Sequence, residues 1–246
     1  MAKVTVLTPT TGNPLLGRCI ESVRNQTHKD VEHLIFLDGQ ESLRNASDIL
    51  YQNTFPCGRD ENVISLPYPV GSDRWNGHRM YGAGIFLARG DYVIFLDEDN
   101  NLDPTHIENC LKVVERGNDW TFSFRKIVDD DNNVLCLDDC ESLGIYPSVL
   151  HPEDYFVDVG AFFLPRELAV QTCPIWYRKA REDGVPEVDR ALTSVLRRIA
   201  PHYDSTYKYT LNYRVGSTGI SVKEDFFQRG NAEMLRKYHN NLPWKL

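Results

Sequence analysis

Two short apolar runs, separated by a stretch of helical periodicity, constrain the fold of this chain more than any other feature. Residues 3–9 (KVTVLTP) alternate apolar and polar side chains and stop at a proline, and residues 31–39 (VEHLIFLDG) form a second run. Between them, apolar residues recur at the spacing of one helix face: Leu15, Leu16, Cys19, Ile20 and Val23. Asn13 and Pro14 are predicted as the N-cap and first helical residue. The segment therefore predicts a βαβ unit.

Predicted strands and helices continue to alternate through the first hundred residues. A third strand is predicted at 62–66, a helix at about 76–89 and a fourth strand at 91–96. Asp103 and Pro104 are predicted as the cap and first residue of a helix that runs to about residue 115. Because strands that alternate with helices pair in parallel, we predict an α/β half over about 1–117.

The pattern changes after residue 117. The predicted elements are a hairpin, two strands and two helices: 120–137, 157–164, 207–215, 165–172 and 187–200. An amphipathic helix is predicted around residues 226–238. Since the sequence contains no internal repeat and no low-complexity linker, we predict one domain over 1–246, with a second half over about 118–215 and a tail over about 216–246.

The charge balance restricts the partners. With 35 acidic against 27 basic residues, the chain lacks the excess positive charge that binding to nucleic acid or to an anionic membrane requires. Its apolar runs are far shorter than the ~20 residues of a membrane span, and its first residues lack the apolar core of a signal peptide. We expect a cytoplasmic protein with six reduced cysteines. For the tail, closure of the fold's own core is the favoured role, while closure of the active site, a homodimer and peripheral membrane contact stay open.

An acidic cluster ends the fourth predicted strand, where residues 91–103 read DYVIFLDEDNNLD. In an extended chain residues two apart point the same way, so Asp97 and Asp99 can share a target while Glu98 faces elsewhere. Parallel sheets bind ligands beyond the carboxyl ends of their strands. Like charges this close disfavour ionisation unless a cation joins them, and oxygen ligands favour Mg²⁺ or Mn²⁺.

Other interpretations of this stretch stay open. Residues 97–108 partly fit an EF-hand loop, although Leu102 replaces the glycine required at the sixth position and a strand precedes the segment. The acids could instead form a solvated turn in which Asp103 only caps a helix. A dinucleotide site is disfavoured, because no glycine fingerprint follows the first strand.

Three motifs resemble those of family 2 glycosyltransferases with the GT-A fold: residues 6–28 (VLTPTTGNPLLGRCIESVRNQTH), 31–39 and 88–100 (ARGDYVIFLDEDN). The resemblance covers essentially the full length. It implies a Rossmann-like, mostly parallel sheet flanked by helices, with a smaller mixed sheet on the acceptor side. It also implies a metal-dependent inverting transfer from a nucleotide-diphosphate sugar, with UDP favoured, to a hydroxyl of a glycan, glycolipid or glycoprotein.

The resemblance implies roles for individual residues. Asp97 would contact the donor ribose, Asp99 would bind Mn²⁺ or Mg²⁺, and Asp38 would recognise the nucleobase. The other candidates on the nucleotide-sugar side are Thr8, Pro9, Thr10, Glu98 and Arg79, with Arg74 and His78 as further sources of positive charge. The family's histidine near the carboxyl end has no counterpart in residues 212–221, where Arg214 and Ser217 stand. The third metal ligand therefore stays open.

An inverting transfer also needs a carboxylate that takes the proton of the acceptor hydroxyl. Residues 188–198 (VDRALTSVLRR) resemble the acidic helix start of the family, so Asp189 is predicted as this base, with Glu182 and Asp183 as an alternative. An acid in a first helical turn can also merely favour the helix dipole. The candidates for the acceptor or sugar pocket are Glu141, Asp158, Trp176 and Arg190. Trp176 could stack on a sugar face or belong to the core, and the sequence leaves both open.

Two other functions stay open. The first is a non-catalytic homologue that binds a nucleotide sugar or a glycan. The second is a sugar nucleotidyltransferase, which would need a glycine-rich, lysine-bearing loop after the first strand; residues 8–14 (TPTTGNP) do not provide it.

Overall fold

The computed structural model of the chain describes residues 1–54, 61–72, 75–150, 152–177, 187–216 and 222–245. The strands are β1 (Val4–Thr10), β2 (Val31–Leu37), β3 (Glu61–Ser65), β4 (Tyr92–Phe95), β5 (Asn101–Leu102), β6 (Trp120–Val128), β7 (Val134–Leu137), β8 (Phe162–Pro165) and β9 (Tyr203–Arg214). The helices are α1 (Leu16–Arg24), α2 (Gly39–Thr54), α3 (His78–Leu87), α4 (His106–Val114), α5 (Arg166–Thr172), α6 (Val188–Ile199) and α7 (Glu224–Lys237).

The strands form one sheet in the order β3-β2-β1-β4-β8-β6-β9-β5, with β7 paired to β6. The first four strands of this order are parallel. Strand β8 then runs antiparallel to both β4 and β6, and β6 is parallel to β9. This mostly parallel sheet, continued by a mixed one, confirms the predicted architecture.

The pairing register brings the carboxyl ends of three strands to the same edge of the sheet. Thr10 of β1 pairs with Leu37 of β2, and Leu7 of β1 pairs with Phe95 of β4. Every residue of β1 is buried, which is expected for a central strand covered on both faces. The acids that follow β2 and β4, Asp38 and Asp97, therefore lie near the end of β1.

Helix α2 is absent from the sequence-based prediction. Within its described part, the buried positions are Gly39, Ser42, Ala46 and Leu50, of which only the last is a large apolar residue. So sparse an apolar face gives little helical periodicity. Strand β9 also begins at Tyr203, four residues before the predicted start.

Two predicted helix starts need correction. Helix α1 begins at Leu16, and the Asn13 side chain accepts a hydrogen bond from the Leu15 N–H at 2.9 Å in the turn before it. Helix α4 begins at His106. The Asp103 carboxylate does not cap it, because it accepts hydrogen bonds from Lys126 Nζ at 2.6 Å and Asn212 Nδ2 at 2.9 Å. Strand β4, which directly precedes residues 97–108, also excludes the helix–loop–helix geometry of an EF-hand.

The C-terminal segment packs on the rest of the fold. Phe227 and Met234 of α7 are fully buried. Beyond the helix, Asp139 accepts hydrogen bonds from Trp244 Nε1, at 2.8 Å, and from Lys245. Across the described ranges, no helix combines the length and the apolar character needed to cross a membrane. The five cysteines within those ranges are free thiols, as predicted, while Cys57 lies outside them.

Candidate active site

A cavity of about 910 Å³ opens at the shared edge of β1, β2 and β4. Its lining includes Pro9 and Thr10 from β1, Asp38 after β2, and the acidic residues 97–99 after β4. Arg214, at the end of β9, also lines the cavity. The predicted donor-side residues are thus largely brought together at the place where parallel sheets bind ligands.

Asp97 lies at the end of β4 and is tied to helix α3. Its Oδ1 accepts a hydrogen bond from the Tyr81 hydroxyl at 2.7 Å. Burial, followed by repulsion from Asp99, raises the pKa of Asp97 to about 7, although the Tyr81 hydrogen bond acts in the opposite direction. The carboxylate is therefore oriented, and an approaching cation would favour its charged form.

Asp99 already faces a positive charge. Burial raises its pKa, and the Arg214 guanidinium, whose Nη1 lies 3.5 Å from Asp99 Oδ2, opposes this shift. Arg214 Nε also lies 2.5 Å from Oδ1 of Asp130, in the turn between β6 and β7. Arg214 thus lies beside Asp99, in the region of the chain where the resemblance implied a histidine ligand.

Glu98 holds the loop between β1 and α1. Its carboxylate accepts hydrogen bonds from the Thr10 hydroxyl, from the N–H of Thr11 at 3.0 Å, from the Thr11 hydroxyl at 2.9 Å and from the N–H of Asn13 at 2.8 Å. These bonds fix one wall of the cavity. We therefore infer a positioning role for Glu98, and because it also lines the cavity, its direct contact with the nucleotide sugar stays a prediction.

Replacement of Glu98 by alanine is expected to weaken nucleotide binding roughly 5- to 20-fold, because the loop loses a charged acceptor for several donors. Isothermal titration calorimetry with UDP measures this effect. Glu21→Ala, which removes an exposed acid of α1, is the matched control and should leave UDP binding unchanged. Equal affinities for the two variants would show that Glu98 does not order the cavity wall.

Two of the other donor-side predictions are corrected by burial. Thr8 is fully buried, and its hydroxyl lies 2.9 Å from His33 Nε2 beneath the cavity, so it is not in contact with the cavity. Burial lowers the pKa of His78 to about 4, so this residue is neutral at pH 7 and supplies no positive charge. Arg74 and Ser217 lie outside the described residues.

Asp38 and Arg79 both contact the segment before α3. The Asp38 carboxylate accepts hydrogen bonds from the N–H groups of Val70, at 2.6 Å, and Gly71, at 3.0 Å, while it also lines the cavity. The Arg79 guanidinium lies 4.3 Å from the centre of the Trp75 ring, and its Nη1 donates to the Val70 carbonyl at 3.2 Å. Arg79 is not among the lining residues of the cavity, so its contact with a donor remains a prediction.

Sequence reasoning missed Arg125, a buried cation on β6. Its guanidinium forms ion pairs with Asp138 at 2.7 Å, Glu141 at 2.5 Å and Asp158 at 2.6 Å. Burial opposes ionisation of Asp138, but Arg125 and backbone N–H groups outweigh it and lower the pKa of this carboxyl. The signal in the sequence was a lone arginine in an apolar strand that precedes an acidic segment.

The Arg125 cluster includes two predicted sugar-pocket residues, Glu141 and Asp158. Glu141 is 7% exposed and also faces Arg190, whose Nη2 lies 3.7 Å from Glu141 Oε1. Asp158 is 8% exposed, and its Oδ1 accepts a hydrogen bond from the Gly160 N–H at 2.9 Å. Both carboxylates are therefore mostly buried ion-pair partners of Arg125, and a contact of either with a sugar stays a prediction.

Trp176 belongs to the core. Its side chain has no exposed surface, and its ring centre lies 4.6 Å from that of Phe95 and 5.4 Å from that of Tyr81. The predicted stacking on a sugar is wrong, since a stacking platform needs an exposed ring face. Trp176 instead supports the strand and helix that carry Asp97 and its hydrogen-bond donor.

Asp189 lies in the first turn of helix α6, which begins at Val188, so the predicted helix start is confirmed. Its Oδ1 accepts a hydrogen bond from the N–H of Arg190 at 2.8 Å. Burial, and next repulsion from Asp158, raises the pKa of Asp189 to about 6. The Arg190 side chain is held by Asp154 at 3.1 Å and lies 4.5 Å from the centre of the Phe156 ring. The alternative pair Glu182 and Asp183 lies outside the described residues.

The donor set at residues 97–99 suits a divalent ion that arrives with its substrate. Among the described residues, no three acidic, histidine or cysteine side chains form a group that could hold a metal by themselves. Asp99, with a raised pKa and an oxygen facing the cavity, fits an ion whose other ligands are phosphate oxygens and water.

Solved structures with a similar fold include TarS of S. aureus. The structure of its residues 1–349 in complex with UDP matches with a TM-score of 0.64 and 14% identity, over 97% of this chain and 72% of that one. The complex with UDP-GlcNAc matches with a TM-score of 0.63, over 96% and 72% of the two chains. The likeness confirms the predicted GT-A fold.

Similar sequences are glycosyltransferases by name. The chain is 28% identical to the uncharacterized glycosyltransferase MJ1057 of Methanocaldococcus jannaschii, over 94% of this chain and 74% of that protein. It is 30% identical to the putative glycosyltransferase EpsH of Bacillus subtilis, over 38% of this chain and only 25% of EpsH. The family model described as glycosyl transferase family 2 matches residues 5–137, which is more than half of the chain. The chain therefore belongs to glycosyl transferase family 2.

Proposed function

We propose that this protein is a metal-dependent inverting glycosyltransferase that uses a UDP-sugar. The observation that carries the proposal is the pair Asp97 and Asp99, which faces a large cavity at the carboxyl ends of β1 and β4. Charged groups with raised pKa values in a cleft are typical of functional sites. The UDP and UDP-GlcNAc complexes of TarS support a uridine nucleotide as the donor carrier. A hydroxyl of a glycan, glycolipid or glycoprotein is the proposed acceptor.

The donor-side residues would divide the nucleotide sugar between them. Asp38 and Pro9 lie on the β1–β2 side of the cavity, where the base is proposed to bind, and Asp97 would accept a hydrogen bond from the ribose. Asp99 would hold Mn²⁺ or Mg²⁺, which when bound supplies positive charge to the diphosphate leaving group.

Asp189 is proposed as the general base. At pH 7 a carboxyl with a pKa of about 6 is largely ionised, yet it accepts a proton more readily than an ordinary aspartate. It would take the acceptor hydroxyl proton while that oxygen attacks the anomeric carbon. The bond from this carbon to the diphosphate breaks at the same time, so the configuration inverts and UDP leaves.

Titration of the protein with UDP in the presence and absence of Mn²⁺ tests the donor site. We expect Mn²⁺ to strengthen UDP binding, and Asp99→Ala to remove the part of the affinity that depends on Mn²⁺. Mn²⁺-dependent binding that survives Asp99→Ala would exclude Asp99 as the ligand. Purified protein should also hydrolyse a UDP-sugar slowly to UDP and the free sugar, with the same buffer without protein as the blank. Binding without hydrolysis or transfer would favour a non-catalytic homologue.

A further inference from the structure

Arg214 lies between two carboxylates at the wall of the cavity. Its Nη1 is 3.5 Å from Asp99 Oδ2 and its Nε is 2.5 Å from Asp130 Oδ1. Its backbone N–H donates to Asn100 Oδ1 at 2.9 Å, and its side chain is only 12% exposed. Both ends of the residue are thus held in place before any ligand enters.

The cavity that Arg214 lines is strongly acidic. The described residues of its lining include the acids Asp38, Asp97, Glu98, Asp99 and Asp130, and of those described lining residues Arg214 is the one with a permanent positive charge. A nucleoside diphosphate is itself anionic, so these acids would repel it unless a cation intervened. Arginine carries five N–H donors in a planar fork that matches phosphate oxygens.

The contacts of Arg214 leave part of this fork available. The guanidinium approaches Asp130 closely through Nε, whereas its approach to Asp99 at 3.5 Å is long for a charged hydrogen bond. Asp130 therefore acts as the anchor, and the contact with Asp99 is the one that a stronger partner can replace. A phosphate group in the cavity would offer such a partner.

We propose that Arg214 is a diphosphate-binding residue, held in place by Asp130, that lets the site keep part of its nucleotide affinity without a divalent metal. The inference rests on the proposed function, because it concerns the same donor site. Arg214 is also the resident counter-ion of Asp99, so it competes with a divalent ion for that carboxylate. Its removal should therefore weaken the binding of UDP and strengthen the binding of Mn²⁺ alone.

A purely structural role for Arg214 makes a different prediction. The turn that carries Asp130 is also attached to α1, because Arg18 Nη1 donates to the Asp130 carbonyl at 2.9 Å. Arg18→Gln removes this attachment without removing a cation from the described cavity lining. It is therefore the matched control for any effect that arises only from loosening the turn.

Calorimetric titration with UDP, in EDTA and in Mn²⁺, tests the proposal on the intact chain. We expect the wild-type protein to bind UDP in EDTA, more weakly than in Mn²⁺. Arg214→Gln should weaken binding in EDTA about 10- to 100-fold, as for other hydrogen bonds to charged groups, and less in Mn²⁺. Arg214→Lys should fall between, because lysine keeps the charge but not the fork. Asp130→Asn should shift UDP affinity in the same direction as Arg214→Gln.

The second measurement follows Mn²⁺ alone by electron paramagnetic resonance of the free ion. Arg214→Gln should lower the Kd for Mn²⁺ at least several-fold, and Arg18→Gln should leave it unchanged. The inference would be overturned if Arg214→Gln and Arg18→Gln bound UDP equally well in EDTA, or if the wild-type protein bound UDP in Mn²⁺ but not in EDTA. In either case, Mn²⁺-dependent binding of UDP would leave the proposed function intact. If wild type bound UDP in neither buffer, the uridine donor itself would be wrong. Melting temperatures and Arg214→Lys separate loss of binding from loss of folding.

Discussion

Replacement of Asp189 by asparagine is expected to lower the rate of sugar transfer by about 10²- to 10⁴-fold while UDP affinity stays unchanged. The amide keeps the size of the side chain but cannot accept the acceptor proton. Rates from single-turnover transfer, together with calorimetric UDP affinities, measure the two quantities. Glu167→Gln is the matched control, since Glu167 is an exposed acid in the first turn of α5. Comparable losses in both variants would remove Asp189 from the mechanism.

The raised pKa of Asp189 predicts two effects of pH. The transfer rate of the wild-type protein should fall as pH decreases through about 6, because the base becomes protonated there. Stability moves in the other direction, since a folded-state pKa above the unfolded value of about 3.9 means that ionisation of Asp189 disfavours folding. This destabilisation is absent below the unfolded pKa and complete above about pH 6. Asp189→Asn should therefore raise Tm at pH 7.5 and leave it unchanged near pH 4.

Replacement of Arg125 by methionine is expected to cost about 3–5 kcal/mol of stability, because it leaves three buried carboxylates without their counter-ion. The affected acids are Asp138, Glu141 and Asp158, all in direct contact with the guanidinium. A loss of this size corresponds to a fall in Tm on the order of 10 °C for a chain of this length. Urea unfolding followed by fluorescence measures it.

The neighbouring Lys126 provides the control for Arg125. Its ion pair with Asp103 is 2.6 Å long, but the two side chains are 25% and 28% exposed, so Lys126→Met should cost about 1 kcal/mol or less. Similar losses in both variants would show that the buried cluster contributes no more than a partly solvated pair. A large loss for Arg125→Met alone would show that Arg125 holds the carboxylates of Asp138, Glu141 and Asp158 together.

The parallel half of the sheet could be predicted because its information is local. The apolar runs of β1, β2 and β4, and the acids that end two of them, follow one another along the chain. The predicted contact of Thr8 with the nucleotide was wrong, because it depends on packing that this local pattern does not show. Thr8 and Thr10 share one face of β1, but Thr8 lies one step deeper, against His33 of β2. Depth within a sheet depends on how the strands are aligned.

The contacts that could not be predicted connect distant parts of the chain. Arg214 and Asp99 are 115 residues apart, and no periodicity relates a strand end to a turn end. Arg125 reaches acids in the following loop and at residue 158, so its partners depend on the path of the chain between β7 and β8. The sequence likewise leaves Trp176 open between a sugar contact and a core position, and only the packing against Phe95 decides for the core.

The order of the strands has a consequence for engineering. Strand β5 leaves the N-terminal half to pair with β9 at the far edge, while β4 is bordered by β8. A chimera of two relatives with its crossover at residue 117 would therefore place both the β4–β8 pair and the β5–β9 pair between strands of different origin. An exchange of the segment between β7 and β8 would leave both pairs intact, because the strands at its two ends both pair with β6.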